Sequence, residues 1–127
     1  RARRDSSLCS PPTDQILMPV LFVSERATYD EIQQMTQELE RYVKVAVDTE
    51  KGVLAGGGVL HADCEAVLIQ KGSRQEDIWG ADWYPDSKEI EFKAMINIAP
   101  RRGNRSMEIQ DASLRKKLEK IIRNLLG

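Results

Sequence analysis

The chain has 127 residues, 41% of them hydrophobic and 31% charged, and 19 Lys+Arg against 20 Asp+Glu leave a net charge of −1. One domain of this size buries enough surface for a core without staples. The even charge balance excludes a basic nucleic-acid coat protein and an acidic disordered tail. No apolar run reaches the ~18 residues of a membrane-spanning helix, and two cysteines make no disulfide framework.

Residues 1–17 read as a flexible N-terminal tail or extension: Arg1, Arg3 and Arg4 precede Ser6, Ser7, Ser10, Pro11 and Pro12 without apolar periodicity. No apolar region of the ~7–15 residues that a secretory signal needs follows the arginines. Met18 opens the first apolar run and reads as the natural start, with 18–127 as one domain. Cys9 lies in the tail and Cys64 in the domain, so their pairing has no support and a reducing cytoplasm is expected.

Pro19 to Val23 predicts a first strand. Thr28 and Glu31 have capping-box spacing, and Ile32, Met35, Leu39 and Tyr42 stripe one face of the helix that follows. Val43, Val45 and Val47 alternate with Lys44, Ala46 and Asp48 as a strand, and the polar Thr49–Gly52 turns the chain into a second strand at Val53–Ala55. After Gly56-Gly57-Gly58, Leu60, Cys64, Val67 and Leu68 follow helical spacing, with a strand through Val67–Ile69 as the competing reading. Ile78–Tyr84 and Lys88–Phe92 flank Pro85-Asp86-Ser87 as a second hairpin, and Met95, Ile96 and Ile98 predict another strand. The final helix is the clearest element, with Leu114, Leu118, Ile121, Ile122, Leu125 and Leu126 on one face and Asp111 or Ser113 as cap. The hairpins require antiparallel neighbours. The fold class is therefore α+β: a single compact domain with a mostly antiparallel sheet of five or six strands and three helices packed mainly on one face.

Charge is unevenly spread. Residues 101–127 carry eight basic and three acidic side chains, whereas 63–91 carry eight acidic and three basic ones. Complementary regions of one fold are the plainer reading, and a basic docking surface for RNA, an acidic partner or a second subunit is the alternative. No aromatic residue interleaves with the basic ones, so nucleic acid is disfavoured as a partner.

The single histidine, His61, stands with Asp63, Cys64 and Glu65. His61, Asp63 and Glu65 are candidate metal ligands, and with Asp82 they form the candidate set of a metal-assisted hydrolase. The segment differs from the zinc-deaminase pattern, having Asp63 where that pattern has Glu and lacking a Pro-Cys-x-x-Cys. A structural histidine among capping acids is the plainer reading, and Cys64 falls on an apolar stripe. The glycine run lacks both the P-loop ending and the Rossmann spacing. No nucleophile elbow accompanies Ser73, Ser87 or Ser106, so the catalytic set is incomplete and no cofactor is expected.

Two clusters suggest binding: Trp79, Asp82 and Trp83, and the segment with Asn97, Arg101, Arg102, Asn104 and Arg105. Trp and Arg are enriched at interface hot spots, and loops at strand ends commonly carry binding groups. The competing reading is a core tryptophan pair and an ordinary exposed turn.

Val43–Asp48, Leu60–Glu65, Gly72–Gly80, Ile96-Asn97-Ile98 and Asn104–Asp111 resemble the signature blocks of a small bacterial family of unknown function that includes cyanobacterial members. The resemblance runs from about Val20 to the C-terminus. It implies a freestanding bacterial cytosolic domain and assigns no activity, cofactor or catalytic residue. The leading expectation is a cytosolic binding or regulatory module for a protein partner or small ligand, built on the two binding clusters. The alternatives are the hydrolase and a homodimer formed through a sheet edge or the last helix.

Overall fold

A computed structural model describes residues 20–37, 39 and 41–127. The tail expected at 1–17, with Cys9, and the start expected at Met18 lie outside the described residues. Strand β1 (Leu21–Val23) leads to helix α1 (Tyr29–Met35), hairpin strands β2 (Val43–Asp48) and β3 (Val53–Gly56), and helix α2 (His61–Gln70). Strands β4 (Ile78–Trp83) and β5 (Ile90–Glu91) follow, then two short 3₁₀ turns at Met95–Asn97 and Pro100–Arg102, and helix α3 (Ala112–Leu125). The five strands form one antiparallel sheet in the order β1-β3-β2-β4-β5.

The β2–β3 turn is held from inside. Asp48 is buried, its Oδ1 accepts the amides of Glu50 (2.8 Å) and Lys51 (2.9 Å), and its Oδ2 accepts the Ser73 hydroxyl. One carboxylate thus ties the hairpin to the segment leaving α2, and Gly52 takes the left-handed conformation the turn requires (φ 69°).

Alternation along the strands divides the core in two. Val43, Val45, Val47, Leu54, Trp79, Ala81 and Trp83 face α1 and α3, packing on Met35, Leu118, Ile122, Leu125 and Leu126. Ala46, Ala55 and Ile78 face the other way, onto Cys64 and Leu68 of α2. Two helices therefore share one face and α2 covers the opposite one. Leu118, Ile122 and Leu125 of the α3 stripe are buried in this core with Leu114 and Ile121 packed beside them, and Asp111 caps the helix by accepting the amides of Ser113 (2.8 Å) and Leu114 (3.3 Å).

Helix α1 begins with the expected box: Glu31 N donates to Thr28 Oγ1 (3.1 Å) and Thr28 N to Glu31 Oε1 (2.8 Å). It stops at Met35, short of the expected stripe through Leu39 and Tyr42. The Thr36 hydroxyl bonds back to the Gln33 carbonyl (2.9 Å), and Tyr42 stacks instead on Tyr84, ring centroids 5.3 Å apart. The helical reading of Val67–Ile69 holds, whereas the strand expected through Met95–Ile98 is a 3₁₀ turn. Its pairing role passes to a side chain. Asn97 presents Oδ1 to Gly80 N (2.7 Å) and Nδ2 to Gly80 O (3.0 Å), so one amide replaces a strand residue on the open edge of β4. Glycine is required at 80, because a Cβ there would lie 2.6 Å from Ala94 Cβ.

Candidate functional site

The segment closing the β4 edge also builds a cleft. Arg102 reaches back from the second 3₁₀ turn. Its Nη1 donates to the carbonyls of Ile78 (2.9 Å), Glu76 (3.0 Å) and Gln75 (3.4 Å), and its Nη2 to that of Ile96 (3.3 Å). The guanidinium stacks on Trp79 at 3.9 Å from the ring centroid. Burial lowers its pKa, and the neighbouring charges of Glu65, Asp77 and Glu76 act in the opposite direction. With the segment pinned, an open cleft of about 800 Å³ lies between α2 and residues 96–102. Ile96, Ile98, Ala99 and Pro100 supply its apolar lining, and Glu65, Gln75, Glu76, Arg101 and Arg102 its polar groups.

One helical turn before Glu65, His61 opens α2. Its Nε2 lies 2.9 Å from Asp82 Oδ1 and 3.0 Å from the Ala81 carbonyl, with side-chain exposures of 9% and 15% for His61 and Asp82. Both neighbours are acceptors, so Nε2 is the donor of this pair. Strand register places Lys44, Asp82 and Glu91 side by side across β2, β4 and β5, and Tyr84 donates to Glu91 (2.9 Å). That bond to a carboxylate pushes the Tyr84 pKa up to about 12. Cys64, one turn into α2, is fully buried and donates to the carbonyls of Gly57 (3.2 Å) and Lys44 (3.4 Å). Burial first, then the charge of Asp63, pushes its thiol up to about 12, the opposite of what a nucleophile needs.

The residues singled out from sequence thus divide. His61 and Asp82 are brought together, Glu65 and Arg101 line the cleft, and Arg102 forms its wall. Arg105 is exposed and Asp63 half-buried. Trp79, Trp83, Asn97 and Asn104 are interior: Trp83 Nε1 donates to the Gly127 carbonyl (2.9 Å), and Asn104 Nδ2 lies 2.7–3.0 Å from the carbonyls of Asn97, Ser106 and Glu108. Among the described residues no three His, Cys, Asp or Glu side chains are grouped to hold a metal ion, and no helix is long and apolar enough to cross a membrane. The cleft's apolar lining escaped the sequence reading because Ile96 and Ile98 have the alternation of a strand, and nothing local marks such residues as surface.

A family model described as a protein of unknown function, DUF5674, matches residues 21–125. The chain belongs to this family. The matched span runs from β1 to the end of α3 and so takes in the whole sheet, the cleft and the His61–Asp82 pair. No curated protein and no solved structure matches the chain.

Proposed function

We propose that the protein is a small binding module that takes a ligand, or a short segment of a partner, in the cleft between α2 and residues 96–102. The cleft itself carries the reading: apolar side chains left at the surface beside a few polar groups are the composition of a ligand site. Ile98 is 44% exposed, while Ile96 beside it is partly buried against the α2 side of the core. The clamps of Asn97, Asn104 and Arg102 hold the wall in place before any ligand arrives, which lowers the ordering cost of binding. The buried free thiol of Cys64 fits the reducing cytoplasm in which we place the module.

A fragment screen by saturation-transfer NMR tests this, comparing the native protein with Ile98→Asp. Fragments bind the native protein and are lost in the variant, while the melting temperature stays within about 2 °C because the side chain is surface-exposed. Retention of every hit in Ile98→Asp contradicts the reading.

One observation favours a second reading. The His61–Asp82 pair, with Nε2 held 2.9 Å from Oδ1, has the geometry of an oriented acid–base couple. A hydrolase would then use His61 and Asp82 as its couple, with Glu65 left to the cleft. A reaction rate lost in both His61→Ala and Asp82→Asn, but kept in Glu65→Gln, would move this reading to first place.

A further inference from the structure

The four charged side chains lining the cleft are not equivalent. Arg102 is engaged by four main-chain carbonyls and stacked on Trp79, and Glu76 is paired with Arg74. Glu65 and Arg101 remain: neither takes part in an ion pair among the described residues, and both face the cleft. Glu65 is half-buried, where a carboxylate without a hydrogen-bonded partner is costly. The site thus offers one open carboxylate on α2, one open guanidinium on the 3₁₀ turn, and an apolar surface formed by Ile96, Ile98 and Pro100.

We infer that the occupant is a short apolar peptide with free termini, its ammonium on Glu65, its carboxylate on Arg101 and its side chains on the isoleucines. This rests on the cleft being the binding site. Charge complementarity selects the zwitterion, since a purely anionic or purely cationic ligand leaves one of the two open groups facing a like charge or nothing. Size selects a peptide over a free amino acid. A cleft of about 800 Å³ is in the range that takes drug-sized molecules, and a single residue leaves much of it to water. The guanidinium fork matches a terminal carboxylate in two parallel hydrogen bonds, a geometry an ammonium cannot reproduce.

Isothermal titration with four probes tests the assignment: the tripeptide Leu-Ala-Leu with free termini, its N-acetyl form, its C-terminal amide, and free leucine. The free tripeptide binds, each blocked form binds about 10-fold more weakly, and leucine binds more weakly than the tripeptide. In Glu65→Gln the acetyl penalty disappears while the amide penalty persists, and in Arg101→Gln the pattern reverses. Equal affinity of free and blocked tripeptides overturns the zwitterion, and leucine binding as tightly as the tripeptide overturns the peptide. If none of the four probes binds while fragments still bind in an Ile98-dependent way, this inference falls and the cleft reading stands. If the fragments are silent as well, both fall.

Discussion

At the scale of single residues, two of the three arginines in the 97–105 cluster do different work. Arg102 holds the 96–102 segment against the carbonyls of β4 and the preceding turn, whereas Arg105 is exposed and its backbone amide donates to Gln110 Oε1 at 3.3 Å. Arg102→Ala should therefore cost about 2–3 kcal/mol in chemical denaturation, since it strips charged donors from part-buried carbonyls and an aromatic stack, while Arg105→Ala should stay within about 0.5 kcal/mol. Cys64 gives a second prediction. Its folded pKa is raised, to about 12, so the unfolded thiol ionises first as pH rises. Folded-state stability associated with the neutral thiol is full below about pH 8.5 and declines as pH climbs toward 12. In a Cys9→Ser background, native Cys64 should resist thiol-labelling reagents. Further replacement by Ala should flatten the alkaline loss of stability seen in urea titrations. Rapid native labelling would show that the core around Cys64 opens.

At the scale of elements, features set by neighbouring residues are legible in the sequence. The box at Thr28–Glu31, the Asp111 cap and the period of α3 are short-range physics, and each stands where its residues place it. Thr28→Ala should cost about 1 kcal/mol, because the Glu31 amide loses its acceptor and the reciprocal bond loses its geometry; an unchanged urea midpoint would mean the box is unused. The chain departs from its local pattern where a distant group outcompetes it. Tyr42 continues the α1 stripe in sequence but stacks on Tyr84 from another part of the chain. Met95–Ile98 alternates like a strand, yet the chain bends there so that Asn97, through its side chain, can pair with Gly80. An amide acting as a strand residue has no periodicity to betray it.

At the scale of the whole molecule, antiparallel architecture followed from the hairpins, and the placement of helices followed only in part. The stripes of α1 and α3 show that each has a buried side but not which face of the sheet receives it; the structure puts α2 on the face opposite both. The candidate site was legible by halves for a related reason. His61, Asp82, Glu65 and Arg101 stand out by chemistry alone, whereas the tryptophans and asparagines that stand out beside them are buried, and Ile96, Ile98 and Pro100 join the site only through the fold. The acidic 63–91 and basic 101–127 stretches also meet: Arg102 enters the field of Glu65, Asp77 and Glu76, and the cleft lies along that seam. The measurement that bears most directly on the cleft is backbone amide mapping by NMR with a bound fragment in saturating amount. The largest shifts should fall on Glu65, Gln75, Glu76, residues 96–99, Arg101 and Arg102. Shifts gathered instead on the outer face of α3, or along β1, would contradict the cleft reading.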